Sequence, residues 1–356
     1  MIAAARGLVG ELATHRASHD ANKQLDPAVV GLLREHAFHA SLVPHLLGGA
    51  ELEPAAYVEV LEAIAEGDAA TGWVAMTAST SALLGAYLPR TTATHLWATG
   101  TPLFAGVFAP GGKLDDAGFL TGKWSWGSGS RHADWFALGA IRDKRHLVCF
   151  VPRASVRIAD NWDTLGLAGT GSHDLVVDAI RVPADHTCSL FDHAPWPNTP
   201  LYRVPVFGLL ATGIAACALG IARSALGHAA ARLRREKDPP SPQLAHFAEL
   251  HAELAAARAY LLTTCTQTFA AAKAGAIDGA ARGELRIAAS HVASRCADVV
   301  RGSFRLDGAA ALRDRHPLQL ALRDIEVVLT HKMVVDRVLP AATRALLSLA
   351  PPPPDL

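Results

Sequence analysis

The feature that most constrains this chain is an uncharged stretch, VPVFGLLATGIAACALGIA, at residues 204–222. A helix that is apolar on every side lies either inside a large protein core or across a membrane. The stretch approaches the roughly 20 residues that a bilayer span needs. However, it is rich in Ala and Gly, it contains Pro205 and Thr212, and no second stretch like it occurs. We therefore expect a helix buried among other helices, and no membrane association.

The rest of the C-terminal part also has long Ala/Leu-rich segments. Helical segments are predicted at residues 204–235, 242–275, 280–304 and 317–349. The breaks between them, such as REKDPPSP and GAIDG, are short and rich in turn-forming residues. This arrangement predicts an antiparallel four-helix bundle.

Residues 1–195 divide into a helical part and a β-rich part. Segments such as LDPAVVGLLREHAF and PAAYVEVLEAIAEG repeat apolar residues at helical spacing. Further on, short β-type runs such as WFALGAI, HLVCFVP and DLVVDAIRVP are separated by Gly, Pro and Asp. We predict a mainly α chain with a central β domain. The expected domains are an N-terminal helical domain at 1–98, a β domain at 99–195 and the helical bundle at 196–350.

Charge and cysteine content exclude several classes of function. The 356 residues carry 33 Lys plus Arg and 33 Asp plus Glu, so no net charge attracts nucleic acid. Five cysteines stand singly with no C-x-x-C pair, which argues against a disulfide framework or a zinc knuckle. The N-terminus lacks an uninterrupted apolar region of the kind a signal peptide has. A cytoplasmic protein is expected.

Common catalytic and binding motifs are missing or out of context. The glycines of GLAGTGSHD are followed by a β-type run, whereas a dinucleotide fingerprint needs a helix there. No H-E-x-x-H occurs, and histidine pairs such as His15 and His19 lack acidic or cysteine residues at ligand spacing, so we expect no metal site. No G-x-S-x-G sits on a strand-to-helix turn, which argues against a Ser-His-Asp hydrolase.

The run KWSWGSGSRHADW at 123–135 is unusual for a strand. Trp124 and Trp126 are two apart, so on a regular strand they share a face, with Ser128 following on it. Such a face suits an aromatic ligand with polar edges. The alternative is a strand that packs both tryptophans into the core, with Ser128 and Ser130 as turn residues.

A second candidate lies in the last helical segment, LALRDIEVVLTHKMVVDRVL. Asp324 and His331 are seven residues apart, so in a continuous helix they share a face. The pair suits acid–base chemistry, or it is a satisfied buried pair.

Together these motifs resemble the acyl-CoA dehydrogenase superfamily over nearly the whole chain, and most closely its two-component flavin-dependent monooxygenases. The resemblance rests on GWVAM, AGVFAPGG, GKWSWGSGSRHADW, WDTLGLAGTGSHDLVVDAIRVP, PLYRVPVF, ALGIARSAL and LRDIEVVLTH. It implies an N-terminal helical domain, a small β-barrel and a C-terminal four-helix bundle, assembled as a homotetramer.

The resemblance also implies flavin contacts. It places Trp126 against the flavin rings, Ser128 at flavin N5, and Val107 and Phe108 at the pyrimidine edge. Gly129 lets the backbone come close. Arg234 or Arg235 would bind flavin phosphate, or would simply be solvated at a helix end. Trp124, His132 and Asp134 are left without a role.

The catalytic base separates the members of the superfamily. Where the dehydrogenases carry a Glu that removes the α-proton of the thioester, this chain has Lys332, with His331 just before it. A lysine is a poor base at neutral pH. By resemblance, His331 and Ser128 are the catalytic residues that protect a C4a-hydroperoxide of the flavin. Some of these monooxygenases have a further His in the region that here reads MTASTSALL, which leaves substrate activation unassigned.

The implied reaction is hydroxylation of a small aromatic or heterocyclic molecule. It would use O₂ and reduced FMN or FAD from a separate flavin reductase. Two alternatives stay open: an acyl-CoA dehydrogenase with a displaced catalytic base, and a flavin-fold protein that binds a metabolite without turnover.

Overall fold

The computed structural model describes residues 1–313 and 316–356. The N-terminal helices are α1 (Ile2–Gly7), α2 (Val9–Asn22), α3 (Pro27–Glu35), α4 (Pro54–Gly67), α5 (Ala69–Leu83) and α6 (Arg90–Leu96). Aspartates precede two of them. Asp26 precedes α3, which opens with a proline, a residue suited to the first turn. Asp68 precedes α5, and its carboxylate accepts the Thr71 N–H at 2.8 Å. Pro27 and Asp68 thus favour the starts of α3 and α5.

The middle of the chain forms a β-sheet. Its strands are β1 (Phe104–Leu114), β2 (Phe119–Gly127), β3 (Trp135–Arg142), β4 (Arg145–Pro152), β5 (Arg157–Ala159), β6 (His173–Arg181) and β7 (Thr187–Cys188). Within the described residues the strand order is β5-β6-β2-β1-β3-β4-β7. β1 and β3 are parallel, and the other pairs are antiparallel. As predicted, a strand and not a helix follows the GLAGTGSHD glycines.

This sheet is open, so the expectation of a closed barrel is wrong. The edge strands β5 and β7 have only 3 and 2 residues. Each pairs with one neighbour, β5 with β6 and β7 with β4. Strands this short offer too few backbone groups to join the two edges of the sheet.

The alternation of β2 breaks near its end, so the prediction that Trp124 and Trp126 share a face is wrong. The pairing with β6 shifts register between Trp124 and Gly127, and Trp126 has a left-handed φ of 69°. Such an irregularity turns the following side chains by about one position. Trp124 is therefore buried and Trp126 exposed.

The C-terminal part is helical, with α7 (Val206–Leu233), α8 (Ser241–Ala274), α9 (Gly279–Asp307), α10 (Pro317–Leu329) and α11 (Leu339–Leu346). α7 contains the uncharged stretch and could span a membrane by length and composition, but 94% of its most apolar window is buried inside the protein. It packs mainly against α4 and α9. The expected buried helix is confirmed.

The fourth predicted helix, 317–349, is broken, so Asp324 and His331 do not share one helix. α10 ends at Leu329, and His331 lies in the turn that follows. At that point the Thr330 hydroxyl donates to the Val327 carbonyl at 2.8 Å, and the Met333 N–H donates to His331 Nδ1 at 3.3 Å. These local side-chain bonds compete with helix propagation.

The predicted domain limits at 98/99 and 195/196 fall in the connections from α6 to β1 and from β7 to α7. The division into three domains stays a prediction. The five cysteines, all among the described residues, are buried free thiols.

Candidate active site

A cavity of ≈ 660 Å³ lies where the helices meet the sheet. Its walls come from α5, the middle of β1, the end of β2, the 162–172 loop, the start of α7 and the segment 327–337. Ligand pockets commonly measure about 300–1,000 Å³. The cavity is therefore large enough for a cofactor ring system together with a small substrate.

Trp126 forms part of the wall at the end of β2. The residue is 74% exposed, although tryptophan is highly buried on average. A left-handed φ in a bulky residue costs about 1–3 kcal/mol, and such strain concentrates at ligand sites. The fold thus holds a flat aromatic surface open toward the cavity.

Ser128, just beyond the end of β2, belongs to a chain of hydrogen bonds whose direction is fixed at both ends. Trp73 Nε1 can only donate, and it lies 3.2 Å from Ser128 Oγ. At the other end, the Thr170 hydroxyl donates to the Leu167 carbonyl at 2.7 Å. Distances of 2.7 Å join Thr170 to Ser172 and Ser172 to Ser128.

Each hydroxyl has one proton, which settles the donors in between. The Thr170 hydroxyl donates its proton to the Leu167 carbonyl. Ser172 must therefore donate to Thr170, and Ser128 must donate to Ser172. Ser128 therefore has no proton left for the cavity. It faces the cavity with a free lone pair, as a hydrogen-bond acceptor.

His331 also lines the cavity, in edge-on contact with Trp73 at a ring-centroid distance of 5.7 Å. Its Nδ1 accepts the Met333 N–H, so the proton of the neutral ring is on Nε2. Burial lowers the pKa of His331 to about 4, with smaller effects from Lys332 and Arg286. The ring is thus a neutral donor at physiological pH. This differs from the near-neutral pKa that an ordinary histidine would bring to proton transfer.

Asp324 is not among the cavity residues. Its Oδ1 accepts the Leu167 N–H at 2.6 Å, which ties α10 to the loop that bears Thr170. Burial raises the pKa of Asp324 to about 7. Its contacts identify it as a residue that positions the loop.

The other residues singled out from the sequence fall in different places. Val107 and Phe108 line the cavity, where the β1–β3 pairing is interrupted after Val107. Gly129 lies just outside, with a left-handed φ of 73° and its N–H bonded to the Thr170 carbonyl. Arg234 and Arg235 are exposed after the end of α7, away from the cavity. For all of these residues a flavin contact stays a prediction.

The structure gives Trp124 and Asp134 structural roles. Trp124 Nε1 donates to the Gly139 carbonyl at 2.7 Å inside the sheet. Asp134 accepts the Leu103 N–H at 2.8 Å and pairs with Arg34. His132 is half-buried, and its pKa is lowered to about 4, mainly by burial.

Sequence reasoning missed two cations and three hydroxyls of the cavity wall. Lys332 and Arg337 both line the cavity, and within the described residues neither forms an ion pair. From the sequence, Lys332 was considered only as the residue at the position of the dehydrogenase base. Thr77, Thr80 and Ser81 project from α5. The hydroxyls of MTASTSALL occur at three- and four-residue spacing, a signal that could have placed them on one helix face.

Comparisons with known proteins identify relatives over most of the chain. A family model described as the C-terminal domain of acyl-CoA dehydrogenase matches residues 212–336. The chain is 31% identical to indole-3-acetate monooxygenase of Pseudomonas putida over 338 residues, which is 89% of this chain and 86% of that protein. It is 27% identical over 363 residues to the flavin-dependent monooxygenase oxygenase subunit HsaA of Mycobacterium tuberculosis, covering 93% of this chain and 91% of that one.

Solved structures give the same result. The crystal structure of HsaA from M. tuberculosis superposes with a TM-score of 0.92 at 25% identity, covering 100% of this chain and 98% of that one. XiaF from Streptomyces sp., solved in complex with FADH2 and glycerol, shares the fold with a TM-score of 0.90 at 21% identity, covering 100% and 96% of the two chains. With its open cavity, its acyl-CoA dehydrogenase-like fold and these relatives, the chain belongs to the family of flavin-dependent monooxygenases.

Proposed function

We propose that this oxidoreductase hydroxylates a small aromatic or heterocyclic molecule, using O₂ and reduced FMN or FAD delivered by a separate reductase. The observation that carries the proposal is the cavity wall formed by exposed Trp126, acceptor Ser128 and neutral His331. The name "oxygenase subunit" of the HsaA relative supports a separate reductase partner.

The cavity residues fit a flavin. An exposed indole offers a stacking surface for a planar ring, and polar groups stand beside it at Ser128 and His331. Bound reduced flavin supplies the electrons that activate O₂, one oxygen atom going to the substrate and the other to water. The protein has to orient the reactants and keep water out.

Ser128 is suited to the reduced state of the cofactor. Reduction places a hydrogen on flavin N5, which turns that atom from an acceptor into a donor. Because the chain through Ser172 and Thr170 leaves Ser128 as an acceptor, we expect Ser128 to accept that N–H. The same series of hydrogen bonds disfavours oxidised flavin, because N5 of oxidised flavin is an acceptor and would require a donor.

His331 supplies the complementary donor. Its neutral ring offers the Nε2 proton, and its low pKa keeps it neutral above about pH 5. A fixed neutral donor stabilises an oxygen species in the cavity without releasing a proton to it.

We expect His331→Gln to preserve flavin binding. Ala at the same position should increase the share of O₂ released as hydrogen peroxide, and unchanged coupling would remove His331 from the mechanism.

The cavity lining suggests what holds the rest of each ligand. Phe207, Leu210 and Val327 contribute apolar wall that suits the substrate ring. Lys332 and Arg337 supply positive charge that suits the phosphate common to FMN and FAD. Arg337→Gln should weaken FMN binding but not riboflavin binding. If Arg234 and Arg235 hold the phosphate instead, their replacement will show that selective loss.

Further parts of the proposal concern the whole protein. We propose that α7–α10 act as the four-helix bundle of the family, that the chain works as a homotetramer, and that it resides in the cytoplasm. The burial of α7 within the protein argues against a membrane span.

The acyl-CoA dehydrogenase alternative needs a carboxylate base beside the substrate. Among the cavity residues that the structure describes, Asp163 is the one acidic residue. Its side chain is exposed and forms an ion pair with Lys23 Nζ at 2.9 Å. Such a group is a poor candidate for removing a carbon-bound proton.

The deciding experiment supplies chemically reduced FMN or FAD to the chain with ¹⁸O₂ and a panel of small phenols and indoles. The expected result is one ¹⁸O atom in a hydroxylated product. Reduction of bound oxidised flavin by an acyl-CoA, without oxygen incorporation, would establish the dehydrogenase instead. Flavin binding with neither reaction would favour the non-catalytic alternative.

A further inference from the structure

A cluster of histidines and aspartates lies outside the cavity, on the N-terminal helices. His15 and His19 are one turn apart on α2, and Asp26 reaches them from the start of α3. Spacing along the sequence did not predict the acidic neighbours of these histidines. The turn after α2 brings Asp26 to His15, and the start of α5 brings Asp68 to His19.

His19 holds a buried nitrogen without a hydrogen-bond partner. The residue is only 1% exposed, and its Nδ1 lies 2.9 Å from Asp68 Oδ2. A carboxylate only accepts, so Nδ1 carries the proton and Nε2 of the neutral ring has a free lone pair. Nε2 has no hydrogen-bond partner. The carboxylate oxygen Asp26 Oδ2 lies 3.7 Å from it.

The same atoms have the arrangement of a metal site. His15 Nδ1, His19 Nε2 and a carboxylate oxygen of Asp26 all lie within 4.8 Å of one another. Tetrahedral Zn²⁺ with bonds near 2.0–2.1 Å separates its ligand atoms by about 3.3 Å. The observed separations of 2.7 Å for His15–Asp26 and 3.7 Å for His19–Asp26 lie on either side of that value.

Neighbouring groups would support such ligands. Metal-bound histidines usually donate their second N–H to a carboxylate, as His19 does to Asp68. The Ser18 hydroxyl donates to Asp26 Oδ1 at 2.9 Å, which leaves Oδ2 for a metal. The side chains of His15 and Asp26 are each 24% exposed, so an ion can enter from solvent.

We propose that His15, His19 and Asp26 bind a divalent transition-metal ion, best matched by Zn²⁺, with a water as fourth ligand. The site is structural. It joins α2 to the start of α3 and, through Asp68, to the first turn of α5. It does not depend on the proposed monooxygenase reaction, since none of its ligands lines the cavity.

The test uses the tag-free, full-length chain after removal of metals with a chelator. Zn²⁺ is titrated by calorimetry, and the unfolding temperature is measured with and without it. His15→Gln is the main variant, because His15 is partly exposed. His95→Gln is the matched control, since His95 is an exposed histidine on α6 outside the cluster.

The expected result is one Zn²⁺ per chain with a higher unfolding temperature. The affinity should fall at least 10-fold in both His15→Gln and Asp26→Asn and stay unchanged in His95→Gln. Equal binding by wild type and both cluster variants would overturn the site. So would failure of the wild type to bind micromolar Zn²⁺. Circular dichroism confirms that each variant is folded.

Discussion

Two tryptophans of β2 stand two residues apart in opposite surroundings. Trp124 is 1% exposed, and Trp126 is 74% exposed. The Trp124 ring packs over Gly112 and Gly122, where an added Cβ would come within 2.4 Å and 2.7 Å of it. The Trp126 ring faces the cavity from a left-handed backbone. One irregularity in a strand thus separates a residue that stabilises the fold from one that is held out for a ligand.

The largest expected effect is on stability and tests the role of the buried Trp124. Trp124→Ala should lower the free energy of unfolding by about 3–5 kcal/mol, because it leaves a cavity. It also leaves the Gly139 carbonyl without its donor. Urea unfolding measures the change. Trp126→Ala, the matched variant, should change stability by less than about 1 kcal/mol, and similar losses in both variants would contradict the distinction.

Flavin affinity tests the role of the exposed Trp126. Trp126→Gly relieves the left-handed strain, so stability should stay equal or rise by about 1 kcal/mol. The same change removes the stacking surface and should weaken flavin binding 10- to 100-fold, measured anaerobically by titration with reduced FMN or FAD. Phe119→Ala provides the control, since Phe119 is an exposed aromatic residue at the far end of β2. Undiminished flavin affinity in Trp126→Gly would mean that the indole serves another ligand.

The hydroxyl chain beside Trp126 predicts a smaller, selective effect. Ser172→Ala frees the Ser128 proton, so Ser128 can donate to oxidised flavin. The ratio of the Kd for oxidised flavin to the Kd for reduced flavin should then fall about 5- to 10-fold, equivalent to roughly 1 kcal/mol for one hydrogen bond. Thr170→Ser keeps the hydroxyl and should keep the ratio. Equal ratios in Ser172→Ala and wild type would show that the proton direction does not control the redox preference.

The smallest expected effects come from Asp324 and His331, whose pKa values move in opposite directions on burial. The folded pKa of Asp324, about 7, exceeds its ordinary 3.8. Between these values the folded state keeps a proton that the unfolded chain loses, so the contribution to stability falls as pH rises. His331 has a folded pKa of about 4 against 6.5. Its contribution rises across that window and is complete above pH 6.5.

Urea unfolding at pH 5 and pH 7.5 separates the two groups. Relative to wild type, Asp324→Asn should have a more favourable free energy of unfolding at pH 7.5 than at pH 5. His331→Gln should show the opposite sign. The same sign in both variants would refute this assignment of the titrations.

The sequence predicted the order of elements and several residues of the cavity wall. Helical and β periodicities indicated the helix–sheet–helix order, and the family resemblance led to Trp126, Ser128 and His331. The irregularity at Trp126 was missed because strand alternation assumes an uninterrupted register with β6. The end of α10 before His331 was missed because two local side-chain hydrogen bonds outweighed the apolar pattern.

Contacts between distant parts of the chain were beyond local patterns. His19 and Asp68 are separated by 49 positions, and Asp324 meets the Leu167 N–H across 157. Periodicity reports which face of an element is apolar, but not which loop returns to it. The pairing of these groups therefore required the folded structure.

The burial of all five cysteines has a consequence for survival during turnover. An oxygenase that loses coupling releases hydrogen peroxide, and the thiolate is the form of cysteine that this oxidant attacks. Burial raises the pKa of Cys149 and Cys265 to about 12 and that of Cys188, Cys217 and Cys296 still further. Almost no thiolate is then present at neutral pH, and each sulfur is shielded from solvent. The five cysteines are thereby protected from oxidation by hydrogen peroxide.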